Sequence, residues 1–337
     1  MSVKLALIGA GRIGSNHARL ITNHVIGSEL VAVVDPTPNA ETLADELGAV
    51  AFSNPDDVLT RDDIDAVLIA TPARTHADLV VKAAAAGKHV FVEKPMAVTL
   101  EDADRAINAA SEANTVLQVG FNRRFAAGFA AARARIDAGY IGTPQLLRSV
   151  TRDPGPFTAD PNKIPQWTIF LETLIHDFDA LCYLNPGATP VEVTAHADCL
   201  VVPEAAGTGF LDTAVVTVRF DNGAIGTAEA SFSAAYGYDV RGEVFGSKGM
   251  MTAGDARATN MTFYGAEGIA AATSRADTDL LSDAYRAEFQ AFVDSIRTNT
   301  PSKVPGEAAR TALLIALGAI RSVETGATIN LAESIEV

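Results

Sequence analysis

The run Val3 to Ile8 leads straight into Gly9, Gly11 and Gly14, a GxGxxG spacing that suits a tight connection from a strand to a helix. A continuous apolar run reads as a strand buried on both faces, and the segment after the glycines has helical character. In such a unit the first glycine permits the turn, the second lets backbone approach a pyrophosphate, and the third lets helix and strand pack closely. The helix N-terminus, beginning with Arg12 and Ile13, attracts phosphate. A second apolar run, Leu30 to Val34, ends at Asp35, about 20 residues on, where a carboxylate can accept the adenosine ribose hydroxyls and repel a 2′-phosphate. Alone, Asp35 would read as a surface acid at a strand end. With strand, turn and helix before it, and with Pro36 where a compensating arginine would stand, the pattern selects a dinucleotide and favours NAD over NADP.

Asp65 to Ala70, Val90 to Val92 and Val116 to Val119 continue the series of apolar runs, with helical segments between them. Thr71 and Pro72 follow the first of these at what should be the same sheet edge, where backbone contacts to the cofactor are expected. The alanine-rich stretch Thr75 to Ala86, which includes His76, stops at Gly87, and Thr99 caps Leu100 to Ala113 with Asp102 in capping-box position. Strand and helix therefore alternate through the first 120 residues, which predicts a mostly parallel, doubly wound sheet. The cofactor set expected here is Gly9, Gly11, Arg12, Ile13, Gly14, Asp35, Thr71, Pro72, His76, Glu93 and Lys94.

The pattern changes after Gly120 to Phe125. A helical stretch, Ala127 to Ala138, precedes Leu146 to Val150 and a loop from Asp153 to Pro165. Val191 to Ala197, Thr213 to Phe220, Ile225 to Phe232 and Val240 to Phe245 then recur at strand spacing, the middle pair joined by the hairpin signal Asp221-Asn222-Gly223. Two late helices place Leu281, Tyr285, Phe289, Phe292 and Ile296, and Ala309, Leu313, Leu317 and Ile320, on apolar faces. The expected architecture is an N-terminal α/β domain over 1–121 and a C-terminal α+β domain over 122–337 with a largely antiparallel open sheet. The C-terminal helices are free to pack back toward the first domain.

Composition narrows the classes of function. A chain of 337 residues with 48% hydrophobic content can build two cores, and 26 Lys and Arg against 41 Asp and Glu give a net charge of −15 that repels nucleic acid and anionic membranes. The apolar run after Met1-Ser2-Val3-Lys4 is too short for a signal-peptide core or a membrane span, so a cytoplasmic protein is expected. Cys182 and Cys199 form neither a CxxC pair nor a disulfide framework and read as buried small hydrophobes, and no metal site is expected.

Lys94, in Glu93-Lys94-Pro95, stands where ligands gather at the end of a parallel strand. Its ammonium could stabilise charge developing on a substrate oxygen or simply pair with Glu93. On the predicted helix Leu171 to Leu184, Glu172, His176 and Asp179 share one face, opposite Leu174, Phe178 and Leu181. A histidine there can accept a hydroxyl proton as hydride leaves the adjoining carbon, with Glu172 orienting it or binding a hydroxyl. The plainer reading is an incidental acid–histidine pair. Asp177 points elsewhere and reads as structural or solvated. Arg123 and Arg124 either bridge ligand or form salt bridges, Trp167 is either lid or core, and Tyr236 and Tyr238 flank Gly237 where hydroxyls could meet a polyol. His17, His24 and His196 have no ligand spacing.

Together the Gly9 to Gly14 turn, Glu93-Lys94-Pro95 and the Glu172 to Asp179 helix resemble the glucose-fructose oxidoreductase/inositol dehydrogenase family, and within it the myo-inositol 2-dehydrogenases, over essentially the whole chain. The resemblance implies a Rossmann domain, NAD, a cyclic polyol substrate and a homotetramer joined through second-domain sheets, with the strands Thr213 to Phe232 supplying the face. It implies Lys94 as active-site lysine and His176 as acid/base. By the same likeness Asn122 and Arg123 lie near the pocket on the domain-crossing segment, with Arg152, Asp153, Asp179 and either Tyr236 or Tyr238 as further substrate contacts. Glu172 departs from the aspartate usual in inositol dehydrogenases, and the extra methylene moves the carboxylate by about 1 Å, a scale at which orientation matters. Other readings are a dehydrogenase of scyllo- or chiro-inositol or of an aldose, or a noncatalytic NAD-dependent sensor or scaffold.

Overall fold

The computed structural model describes residues 2–155 and 159–332, so Met1 and residues 156–158 of the expected Asp153 to Pro165 loop lie outside the described residues. The first half comprises β1 (Val3–Ile8), α1 (Arg12–His24), β2 (Ser28–Val34), α2 (Asn39–Leu47), β3 (Val50–Phe52), α3 (Pro55–Leu59), β4 (Ala66–Ile69), α4 (His76–Ala85), β5 (His89–Val92), α5 (Leu100–Glu112) and β6 (Leu117–Val119). After it come α6 (Ala127–Asp137), β7 (Pro144–Arg152), a π-helical segment (Ile169–Leu174) running into α7 (Ile175–Tyr183), β8 (Pro190–Asp198), β9 (Thr213–Phe220), β10 (Ile225–Ser231) and β11 (Asp239–Gly246). The chain ends with β12 (Gly249–Asp255), β13 (Arg257–Gly265), β14 (Gly268–Thr273), α8 (Asp277–Leu280), α9 (Ser282–Thr298), α10 (Gly306–Thr325) and β15 (Ile329–Asn330). Two compact units result, Met1–Asn122 with Asp283–Leu313, and Arg123–Ser282 with Leu314–Val337.

In the first unit six strands run parallel in the order β3-β2-β1-β4-β5-β6. Helices on both faces explain why β1, β4 and β5 read as unbroken apolar runs. Ala18 and Ile21 of α1 join Leu5, Leu7 and Leu68 of the sheet in one core, completed by Phe289, Phe292 and Val293 of α9. The Phe91 and Phe289 rings lie 4.7 Å apart, which holds α9 on β5. Thr99 caps α5 by accepting the Asp102 N–H at 3.1 Å, and Gly87, at φ +72°, follows α4. Strand order reverses between β1 and β4, and in such sheets ligands bind in the crevice beyond the carboxyl ends at that point.

The second unit holds a seven-stranded sheet, β12-β11-β7-β10-β9-β8-β15, antiparallel except where β7 pairs with β10. The expected hairpin joins β9 to β10, with the Phe220 N–H donating to Ala224 O at 2.9 Å and Gly223 at φ +87°. One face carries α6 and α7. A Cβ at Gly226 would lie 3.0 Å from Leu181 Cδ1, and one at Gly242 would lie 2.7 Å from Phe129 Cε1, so glycine lets both helices settle onto the strands. On the other face Met250, Phe245, Leu146 and Ile225 stand opposite one another on β12, β11, β7 and β10, all exposed. The hairpin of β13 and β14 shows no buried–exposed alternation, so it left no strand signal in the sequence.

Candidate active site

At the β1–β4 crevice the three glycines differ in what surrounds them. A Cβ on Gly9, at φ +103°, would come 2.6 Å from Ala70 O, and one on Gly14 would come 1.9 Å from Gly9 O. Gly11 has nothing within 4 Å. The turn is thus closed where helix and neighbouring loop touch and open at the glycine that should admit a ligand, a shape that fits a pyrophosphate brought to the start of α1. Arg12 is exposed and Ile13 half-buried in that first turn. Asp35, at the end of β2, accepts the Ala10 N–H at 2.8 Å, which ties it to the same turn. Thr71 shares its hydroxyl with Thr75 at 2.7 Å, and Pro72 is exposed beside it.

Two residues expected at the cofactor have buried protein partners. His76 is buried between the loops after β4 and β5, with Nδ1 2.8 Å from Pro95 O and Nε2 2.7 Å from Thr71 O. Glu93 is buried too, its Oε1 2.6 Å from His17 Nε2 and its Oε2 accepting the Lys94 N–H at 3.1 Å. Burial works to raise the Glu93 carboxyl, but the His17 hydrogen bond and the charges of His17 and Lys94 outweigh it and hold it below the usual range. His17 was missed because it makes no ligand pattern. Its signal was positional: with Gly14, Ala18 and Ile21 it shares the buried face of α1, where a histidine needs a partner. Lys94 itself is half-buried just beyond β5, and its bond to Pro95 is cis. Asn122, which closes this stretch of the first unit, is buried, and its Oδ1 has no hydrogen-bond partner among the described residues.

In the second unit the expected regular helix is a π-helical segment up to Leu174 and an α-helix from Ile175. A shared face for Glu172 and His176 requires one helical period, whereas the wider turn of i→i+5 bonding places Glu172 in the exposed part and His176, half-buried, at the start of α7. Asp177 anchors α7 onto β7. Its buried carboxylate accepts Arg123 Nη1 at 2.6 Å, Ser149 Oγ at 2.5 Å and Thr151 Oγ1 at 2.6 Å, and Arg123 also bonds Thr151. Asp179 is held by Arg124, at 2.6 Å from Nη2 and 2.9 Å from Nε. Arg123 and Asp179, both expected at the substrate, are thus each paired with a group of opposite charge, and Arg123 also stands near enough to Tyr238 for its charge to act on that hydroxyl. Burial and the Asp179 charge also push the neighbouring Cys182 thiol up to about 12, in keeping with an inert cysteine.

Alternation along β7 separates the remaining candidates. Ser149 and Thr151 face α7, so Arg152 faces the opposite side of the sheet, where it pairs with Glu229 at 2.9 Å. Tyr236 donates to the buried Asp239 at 2.6 Å, and Asp239 stands opposite Arg152 in register. Arg152 and Tyr236, both expected at the substrate, thus gather with Glu229 and Asp239 on the sheet face opposite Ser149 and Thr151. Asp153 and Tyr238 come together: burial, then the charge and hydrogen bond of Asp153, push the Tyr238 hydroxyl well above its ordinary range, so it stays a donor. Trp167, just before the π-helical segment, is at φ +68° with its ring 6.2 Å from Phe170, a left-handed backbone uncommon for a bulky residue and frequent near functional sites. Among the described residues no helix is long and apolar enough to cross a membrane, and no group of three His, Cys, Asp or Glu side chains could hold a metal ion.

A crevice of this form, on a sheet of this order, fits a dinucleotide, and the family match makes the class an NAD-dependent oxidoreductase. Residues 3–121 match the oxidoreductase family with NAD-binding Rossmann fold, residues 129–252 match the GFO/IDH/MocA C-terminal domain, and the chain belongs to this family. It is 37% identical to the scyllo-inositol 2-dehydrogenase (NAD(+)) of Bacillus subtilis, covering 98% of this chain and 96% of that one. It is 36% identical to the myo-inositol 2-dehydrogenase of Thermotoga maritima, over 99% and 100%. The crystal structure of scyllo-inositol dehydrogenase from Lactobacillus casei with bound NAD(H) and scyllo-inositol superposes with a TM-score of 0.94 at 29% identity, covering 99% of this chain and all of that one.

Proposed function

We propose that the protein oxidises myo-inositol at C2 to 2-keto-myo-inositol (scyllo-inosose). The observation that carries the chemistry is His176, half-buried at the start of a helix whose next residue, Asp177, locks it to β7 through buried hydrogen bonds. A base held on a rigid element serves proton transfer better than one on a loop. His176 accepts the C2 hydroxyl proton, the Lys94 ammonium steadies the charge growing on that oxygen, and Glu172 orients the imidazole or takes a neighbouring hydroxyl. NAD, when bound, supplies the hydride acceptor. Asn122, Asp153 and Tyr238 bind the other hydroxyls, and the buried, unsatisfied Oδ1 of Asn122 supports its part.

The rival substrate is scyllo-inositol, favoured by the likeness to the Bacillus subtilis and Lactobacillus casei proteins. Initial rates at 340 nm with NAD and myo-, scyllo- and chiro-inositol, glucose and xylose separate the readings. The highest kcat/KM should fall on myo-inositol; a preference for another polyol reassigns the substrate, and dinucleotide binding without turnover on any of them favours a sensor. We also propose a homotetramer built through the outer sheet face, supported by the exposed row Met250, Phe245, Leu146 and Ile225.

A further inference from the structure

Asp35 is held more firmly than recognition of a ribose requires. Oδ2 accepts the Ala10 N–H at 2.8 Å, while Oδ1 accepts both the Thr37 N–H at 2.9 Å and the Thr37 hydroxyl at 2.6 Å. A carboxylate offers about four acceptor sites, so three donors leave one, on Oδ2. The donors come from both sides, Ala10 from the glycine-rich turn and Thr37 from the segment after β2, so the group cannot swing about its side-chain torsions as a lone acid at a strand end would. Burial works to raise its carboxyl, and the Thr37 hydroxyl with the Ala10 and Thr37 N–H groups outweighs it and holds it below the usual carboxylate range. The charge is therefore fixed in place as well as in sign. A ribose hydroxyl can donate to the remaining Oδ2 site, but a 2′-phosphate meets a negative charge that cannot turn aside, with Pro36 and Thr37 offering no cation.

We propose that Thr37 is a specificity-determining residue: its hydroxyl immobilises Asp35 with one oxygen presented, and the discrimination of NAD against NADP depends on that immobilisation as well as on the acid. The inference rests on the reading that Asp35 faces the adenosine ribose. Thr37 is exposed, so changing it leaves the core untouched.

The test is calorimetric titration of the purified full chain with NAD and with NADP, without polyol, for wild type, Thr37→Val, Thr37→Ser and Asp35→Ala. Loss of one charge-assisted hydrogen bond in Thr37→Val should reduce the ratio of the two dissociation constants by about tenfold. Thr37→Ser, which restores the hydroxyl, should recover the wild-type ratio, and Asp35→Ala should lose discrimination altogether. If Thr37→Val keeps the wild-type ratio while Asp35→Ala loses it, the ribose reading stands and the role of Thr37 is overturned. If Asp35→Ala also keeps it, the ribose reading falls and the inference falls with it.

Discussion

Replacing His176 by alanine removes the proposed base while leaving the glycine turn and Asp35 in place. Turnover is expected to fall by about 10²- to 10⁴-fold with NAD affinity unchanged by titration. The wild-type oxidation rate should rise with pH as an imidazole loses its proton, and the variant should lack that limb; the same limb in His176→Ala would take His176 out of the role. Asp177 fails differently. Asp177→Ala leaves the buried Arg123 guanidinium without its carboxylate, and denaturant unfolding should show a loss of about 3–5 kcal/mol. A loss below about 1 kcal/mol would mean the network does not anchor α7. Glu172, His176 and Lys94 stand out in the sequence by residue type and by their place beside apolar runs, although the π-helical segment alters the spacing that put Glu172 and His176 on one face. The partners of Asp177 do not stand out, because Ser149, Thr151 and Arg123 lie far from it in sequence and only the fold brings them under α7. For the same reason the partners of Arg123, Asp179, His76 and Glu93 could not be read from the sequence.

Among the elements, the β9 entrance shows how a single acid organises a loop. Asp212 accepts the N–H groups of Leu200, Val201 and Val202 and the Thr213 hydroxyl, which fixes the segment after β8 against the start of β9. Burial works to raise its carboxyl, and those donors outweigh it and hold it below the usual range. A carboxyl whose folded pKa is lowered contributes stability that is present above its unfolded value and is lost as pH falls through the folded one. Asp212→Asn should therefore be less stable than wild type at neutral pH, with the gap closing toward about pH 3 in chemical denaturation. A gap constant over that range would show that ionisation of Asp212 contributes nothing. Elements with a strong period were readable: β9 falls where alternation put it, and α5 starts at its cap. The π-helical segment was not, since its composition is that of an ordinary amphipathic helix, and β3, with three residues, is too short to show a period.

At the scale of the whole molecule, the parallel-then-antiparallel organisation follows from the change in apolar spacing near Gly120, which is why the fold class could be read from the sequence. The late helices were less transparent, because the inward faces of α9 and α10 say that each is buried but not in which unit. Residues 283–313 group with the parallel sheet. The proposed assembly puts an aspartate test within reach: Phe245→Asp sets a charge in the exposed row and should shift the light-scattering mass toward the protomer, whereas a wild type already at protomer mass would remove the tetramer. The defining step of the proposed reaction is removal of hydride from C2 of an inositol. Myo-inositol deuterated at C2 should be turned over with NAD to give deuterium-labelled NADH, read by mass spectrometry, and a slower rate than the unlabelled substrate wherever hydride transfer limits turnover. NADH that forms at the same rate without the label would contradict the account.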